Sequence, residues 1–144
     1  MRIYDILRRK GDSVVTVRSD ATLKELLDLL VEHRIGAVVV SDAEGEATGI
    51  VSERDVITHL QAEGTSLGGT HVRDLMSSPP VTCSPDDELE ALARTMTERR
   101  IRHLPVVVDG KLAGVVSIGD VVKQRLDQLQ DERDQLVGYV QQGG

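Results

Sequence analysis

Two short stretches each set a hydroxyl and a carboxylate three residues apart: Ser52-Glu53-Arg54-Asp55 and Ser117-Ile118-Gly119-Asp120. Each follows a glycine and an apolar β-branched pair, Gly49-Ile50-Val51 and Gly114-Val115-Val116. An apolar run that stops at Ser-x-x-Asp reads as a buried strand passing directly into a helix. The first N–H groups of a helix are unpaired and favour an anion, and a carboxylate beside them can accept hydroxyl hydrogen bonds. Together they suit a ligand that carries both sugar hydroxyls and phosphate. The same residues also make an ordinary helix cap, with Ser as N-cap and an acidic side chain at N3. One copy alone would mean no more than that.

The elements around the motifs repeat as well. In the first copy, residues 3–7 read as a short helix ended by Lys10-Gly11-Asp12, and 14–17 as a strand. Ser19-Asp20 opens a helix with an apolar stripe at Leu23, Leu26, Leu27 and Leu30. Residues 37–40 and 48–52 form strands around an Asp42–Gly45 turn, and a helix covers about 53–61. The Gly-rich stretch 62–70 is a loop. In the second copy Val72-Arg73-Asp74-Leu75-Met76 matches Ile3-Tyr4-Asp5-Ile6-Leu7, and Val81-Thr82 matches Val15-Thr16. Ser84-Pro85 opens the next helix, with proline at its favoured first position. Leu89, Leu92, Ala93 and Met96 fall 66 residues after the first stripe. Residues 104–108 form a strand, Asp109-Gly110 a tight hairpin turn, and Gly114, Ser117 and Asp120 lie 65 residues after Gly49, Ser52 and Asp55. A period of this length sustained over both halves predicts a duplicated unit. The strand–helix–strand part of each copy requires a right-handed parallel crossover, and its hairpin adds an antiparallel strand. The fold class is therefore α/β (α+β): two βαββα repeats related by a pseudo-twofold axis, each covering the other's apolar face, plus a long C-terminal helix. The expected divisions are 1–61, a linker at 62–71, 72–124, and an extension at 125–144.

Composition narrows the function classes. The chain has 144 residues, 40% of them apolar, with two Tyr and neither Phe nor Trp. The core must be Val, Leu and Ile, and functions that need aromatic stacking platforms, such as single-stranded nucleic acid binding, are disfavoured. A net charge of −7 argues against a generic nucleic-acid or anionic-membrane surface. The single Cys83 rules out an internal disulfide and reads as a small apolar strand residue. His33, His59 and His71 lack a metal-ligand spacing. With neither a bilayer-spanning run nor a signal-peptide core, a cytoplasmic location is expected.

The ordered set Thr22–Leu26, Arg34-Ile35-Gly36-Ala37-Val38-Val39-Val40 and Gly-h-h-Ser-x-x-Asp, repeated with Arg100-Ile101-Arg102-His103-Leu104-Pro105-Val106 and Gly114–Asp120, resembles a tandem cystathionine-β-synthase (CBS) domain pair over roughly 1–124. The resemblance implies a stand-alone regulatory module, an energy sensor that binds AMP, ADP, ATP, NAD or S-adenosylmethionine between the copies. It implies ribose hydroxyls on the Asp, phosphate on the Ser and helix start, and adenine against the strand-to-helix turn of the opposite copy; magnesium would come only with the nucleotide.

On that basis the main cleft is expected around Ser117, Ile118, Gly119 and Asp120 with Arg102, His103, Leu104 and Pro105, closed by Thr16, Val17, Ser19 and Asp20. A second cleft would hold Ser52, Glu53, Arg54 and Asp55 with Gly36 and Ala37, closed by Thr82, Cys83, Ser84 and Pro85. Arg102-His103 against Gly36-Ala37 favours the Asp120 cleft for phosphate. Other readings remain: Gly119 as tolerance of a tight turn, His103 as a hydrogen-bonded structural residue, Arg99 and Arg100 as a solvated face.

After Asp120 the helix continues to about Gln141, with Val122, Leu126, Leu129, Leu136 and Val140 in a heptad-like seam interrupted by Arg133. Such a seam either packs back on its own domain or forms a homodimer contact, the latter favoured by the habit of CBS pairs to dimerise. Without a nucleophile elbow, P-loop or metal pair, an enzyme is not expected. The competing reading is a structural homodimerisation domain with vestigial clefts. The regulated partner is not encoded in any motif.

Overall fold

The computed structural model describes residues 2–11, 13–64 and 68–143. Met1, the Asp12 expected at the end of the first helix, residues 65–67 of the expected linker and Gly144 lie outside the described residues.

The first repeat builds a sheet of order β1-β2-β3 from β1 (Thr16–Val17), β2 (Ala37–Val40) and β3 (Gly49–Ser52). Strands β1 and β2 are parallel, joined through α2 (Leu23–His33), and β2 pairs antiparallel with β3 before α3 (Glu53–Glu63). The duplicate has α5 (Leu89–Arg99), β4 (His103–Val108), β5 (Lys111–Ser117) and α6 (Ile118–Gly143). Strands β4 and β5 pair antiparallel across Asp109-Gly110, both at positive φ as a type I′ hairpin requires. The expected strand at Val81-Thr82 shrinks to a single parallel bridge, Cys83 to Val106, at the place of Val17 beside Val40.

Two helix starts differ from expectation. Thr22, not Ser19, caps α2: Thr22 Oγ1 accepts from the Glu25 N–H (3.1 Å) and Glu25 Oε2 reaches back to the Thr22 N–H (3.4 Å). This reciprocal box satisfies two free donors, so it prevails over the lone Ser19. Ser19 instead donates its N–H and hydroxyl to Asp42 at 2.8 and 2.9 Å. Pro85 likewise lies in a turn, where Ser84 N–H donates to Asp87 Oδ2 (2.8 Å), and α5 begins only at Leu89.

The short leading helices, α1 (Ile3–Lys10) and α4 (Val72–Leu75), are exchanged between the halves. Ile3 and Ile6 sit in one core with Leu89, Leu92, Met96, Leu104, Val106 and Val116. Val72 and Leu75 sit in the other with Val17, Leu23, Leu26, Val38 and Val51. Ile3 and Val72 are both fully buried. Burying an aliphatic side chain of this size contributes about 1.5–3 kcal/mol, so each half depends on the helix that leads the other. The exchange obeys the pseudo-twofold in detail. The Val72 and Arg73 N–H groups donate to Ala21 and Ser19 carbonyls at 2.9 Å, while Ile3 and Tyr4 donate to Asp87 and Pro85 at 3.0 and 2.9 Å.

Candidate functional site between the repeats

The two Ser-x-x-Asp motifs occupy matching positions where β3 enters α3 and β5 enters α6. Ser52 N–H donates to Asp55 Oδ2 at 2.7 Å, and Ser117 N–H to Asp120 Oδ2 at 2.9 Å. The next residue in each motif ties its helix start to the preceding segment: Glu53 N–H to the Gly36 carbonyl (2.9 Å) and Ile118 N–H to the Arg102 carbonyl (2.8 Å). The capping reading of the motifs therefore holds in full. The question is what lies in front of them.

In front of the first motif is a cavity of about 690 Å³ between the repeats. Ser52, Glu53, Arg54 and Asp55 form one wall, with Gly36 and Ala37 beneath. The facing wall comes from the second repeat: Arg99, Arg100, Ile101, Arg102 and His103. Ile50 and Ile57 add apolar surface, and a smaller cavity of about 340 Å³ continues past Arg54, Arg100 and Arg102 to Ile118. Arg100 takes a left-handed conformation (φ 56°) as the C-cap of α5, which aims the chain across the crevice between the halves.

This differs from the expected grouping. Arg102 and His103 line the cavity of the Asp55 motif and also adjoin the Asp120 motif, where the Ile118 N–H donates to the Arg102 carbonyl. His103 stands between the two motifs, paired across the hairpin with Ser117. Burial depresses its pKa below the ordinary value, and nearby Lys10 adds to this against the opposing pull of Asp120 and Glu53. Burial and Lys10 both favour the neutral ring.

The turns expected to close the clefts do not line this cavity. Thr16, Val17, Arg18 and Asp20 line a separate open groove with Glu25, Asp28 and Glu32, all from the first repeat. Their turn is covered by α4 through the Ser19 and Ala21 carbonyls, as the Thr82–Asp87 turn is covered by α1. Leu104 and Pro105 are buried in β4, and the Pro105 carbonyl accepts from the Cys83 N–H at 3.0 Å. Burial pushes the Cys83 thiol up to about 12, with nearby Asp87 adding to it, so it stays protonated. Sequence reasoning missed Ile50, Ile57, Ser77 and Ile101 as wall residues and set Arg99 and Arg100 aside. Their only signal was a place beside residues already singled out.

The Asp120 motif has a different neighbour. Lys10, in the last turn of α1, donates to Asp120 Oδ2 at 2.8 Å and to the Val115 carbonyl at 3.0 Å. Burial alone would raise the Asp120 carboxyl; the Lys10 ammonium and the Ser117 N–H outweigh it and hold it below the usual carboxylate value. Among the described residues Asp55 has no ion pair. No group of three metal-ligating side chains occurs among the described residues. No helix among them is long and apolar enough to cross a membrane.

A duplicated βαββα unit with exchanged leading helices and a charged crevice at its twofold is the architecture of a tandem domain pair. The model of the CBS domain matches twice, at 3–62 and 72–127, and the chain belongs to that family. It is 34% identical over 149 residues to the mitochondrial CBS domain-containing protein CBSX3 of Arabidopsis thaliana, covering 98% of this chain and 72% of that protein. Its fold matches the crystal structure of a CBS-domain containing protein from Agrobacterium tumefaciens with a TM-score of 0.83 and 42% identity, covering 87% of this chain and 99% of the other. A CBS domain protein from Pyrobaculum aerophilum complexed with AMP matches with a TM-score of 0.73 and 30% identity, over 83% and 89% of the two chains.

Proposed function

We propose that this chain is a regulatory module without chemistry of its own, which binds an adenosine phosphate in the cavity between its repeats. One observation carries the reading: Asp55, a helix-start carboxylate with no ion pair among the described residues, shares a cavity of about 690 Å³ with Arg54, Arg99, Arg100 and Arg102. The volume falls within the roughly 300–1,000 Å³ of ordinary small-molecule sites. Asp55 is placed to accept ribose hydroxyls. The guanidiniums offer paired N–H donors for phosphate oxygens, in the geometry that makes arginine an anion binder. Ala37, Ile50 and Ile57 present the apolar surface a base needs. The AMP complex of the Pyrobaculum relative supports the same ligand class. AMP, ADP, ATP and NAD all fit this description, with magnesium entering only as the companion of a polyphosphate.

The cation count favours anionic ligands over S-adenosylmethionine, whose sulfonium would face the arginines. Binding would cross-link the repeats and shift their relative pose, and that change would reach a partner protein. The exposed seam of α6 is the surface for a second copy, giving a homodimer, and the expected compartment is the cytoplasm.

Isothermal titration with AMP, ADP, ATP, NAD and S-adenosylmethionine tests the reading. The phosphates should bind, and both Asp55→Ala and Arg100→Gln should weaken them at least tenfold while the protein still melts cooperatively. Silence with every ligand would leave a structural homodimerisation domain with vestigial clefts.

A further inference from the structure

The two halves repeat each other, yet their clefts are furnished differently. The residues that match Arg54, Arg99, Arg100 and Arg102 in the other half are Gly119, His33, Arg34 and Gly36. Four guanidiniums of the Asp55 cavity are thus matched by a single one, Arg34. Among the described residues Asp120 itself is ion-paired to a cation and Asp55 is not.

That cation is Lys10, and its presence follows from the unequal lengths of the leading helices. Helix α1 runs eight residues, Ile3–Lys10, whereas α4 stops after four at Leu75. Beyond Leu75 the chain straightens, and Ser77 pairs with Ile50 at the edge of β3. By the 69-residue offset between Ile3 and Val72, the counterpart of Lys10 is Pro79, which carries no donor. The extra turn of α1 brings Arg9 to Asp127 and Lys10 to Asp120, so α1 is pinned to α6 at two points. The Lys10 ammonium sits at the C-terminal end of its helix, where the dipole favours a cation. The Asp120 side chain beneath it keeps only 24% of its surface exposed.

The same Asp120 Oδ2 accepts from both the Lys10 ammonium (2.8 Å) and the Ser117 N–H (2.9 Å). A ribose diol recruited there competes with an ammonium for the carboxylate. At Asp55 Oδ2 the second donor beside the Ser52 N–H is the neutral Ser52 hydroxyl (3.0 Å).

We propose that Lys10 is a specificity-determining residue: an internal ligand of Asp120 that reserves nucleotide binding for the Asp55 cavity, so that one chain holds one nucleoside phosphate rather than two. This rests on the adenosine-phosphate reading above and adds the stoichiometry and its cause. The consequence is an asymmetric sensor, in which one cleft responds to ligand and its twin serves as a fixed brace between α1 and α6.

The test is titration of the full chain with ADP, comparing wild type, Lys10→Met, Lys10→Arg and Lys10→Met/Asp120→Ala. Methionine keeps most of the aliphatic stem and removes the charge; arginine keeps the ion pair. The expected result is one site in wild type and in Lys10→Arg, lost on Asp55→Ala and retained on Asp120→Ala. Lys10→Met should bind a second ADP, and Asp120→Ala in that background should abolish the second site alone. Two sites in wild type, or a single site in a Lys10→Met chain that melts like wild type, would overturn the proposal and leave the nucleotide reading standing. Absence of ADP binding in every variant would overturn the nucleotide reading itself, and this inference with it.

Discussion

Gly36 of the first repeat faces His103 of the second so closely that a Cβ on Gly36 would stand 3.5 Å from the ring Cε1. The same Cβ would lie 3.0 Å from Glu53 Oε1, the mobile end of a flexible side chain. The two residues floor the cavity from opposite sides of the twofold. Extra bulk at Gly36 would therefore intrude on the ligand before it disturbs the core. Gly36→Val is expected to weaken nucleotide binding about tenfold or more, while moving the melting free energy by less than about 1 kcal/mol. Titration and thermal denaturation of the same preparation check both halves of that statement. A variant that loses stability in step with affinity would place Gly36 in the core instead.

The glycines three residues before the two motif serines are equivalent by repeat but not by surroundings. A Cβ on Gly49 would meet the Ser77 carbonyl oxygen at 2.7 Å, a backbone atom held by reciprocal hydrogen bonds between Ser77 and Ile50. A Cβ on Gly114 would meet Leu7 Cδ2 at 2.6 Å, the end of a side chain that can change rotamer. Overpacking against rigid atoms costs about 1–3 kcal/mol. Gly49→Ala is expected to fall in that range and Gly114→Ala well below it. Denaturant unfolding of the two single variants gives the comparison, and equal losses would contradict it.

The period was enough to read the repeats, their crossover and the hairpin turns, because apolar spacing and turn residues act locally. Which half each leading helix packs on was not legible: Ile3 and Ile6 show the same spacing whether they cover their own sheet or the other. The site suffered from the same ambiguity. Residue types marked Asp55, Asp120, Arg102 and His103, but a repeat pattern does not say which motif faces which cation across a twofold. Arg102 and His103, whose types point to an Asp120 cleft, also wall the Asp55 cavity. Lys10 escaped notice for a related reason: a basic residue in a last helical turn is ordinary capping chemistry until the helix is seen to end on a carboxylate. The helix starts at Thr22 and Leu89 were masked by serines nearer the strands, Ser19 and Ser84, which hydrogen-bond within turns instead.

His103 gives the module a pH dependence whose sign can be worked out. Its pKa is depressed in the folded chain by burial first, then by Lys10, with Arg102 in the same sense and Asp120 and Glu53 opposing. The unfolded chain therefore binds more protons just below pH 6.5, so the contribution to stability is full above that pH and is lost as pH falls through the folded pKa. A phosphate in the cavity would favour the imidazolium and draw the pKa back up. Proton uptake then accompanies binding, and affinity should rise as pH falls from 7.5 to 5.5, by at most about tenfold per unit. Titrations in buffers of different ionisation enthalpy measure the uptake. His103→Gln should remove it, leaving only the ligand's own phosphate ionisation. A profile unchanged by that substitution would separate His103 from the bound anion.

Along most of α6 runs an apolar seam that a second copy of the chain would cover. Val122, Leu126, Leu129, Leu136 and Val140 are 45–68% exposed on a helix of 26 residues, roughly 39 Å long. A helix left this bare gains little from propensity alone and is stabilised by burying its apolar stripe. In a parallel pair Arg133 would face its own copy in the middle of the seam. An antiparallel pair centred near position 131 sets Val122 against Val140, Leu126 against Leu136 and Leu129 against the stem of Arg133, whose guanidinium then reaches Glu132 of the second copy. The chain is therefore expected to sediment as a dimer, to become monomeric as Leu126→Glu or Leu136→Glu, and to keep its nucleotide site in both. Orientation is read by cysteine pairing. A chain carrying Leu126→Cys and Leu136→Cys together should oxidise to a covalent dimer readily, and one carrying Leu126→Cys alone should not. Efficient cross-linking of the single variant would mean the helices run parallel, and a wild-type monomer would leave the seam without a second copy.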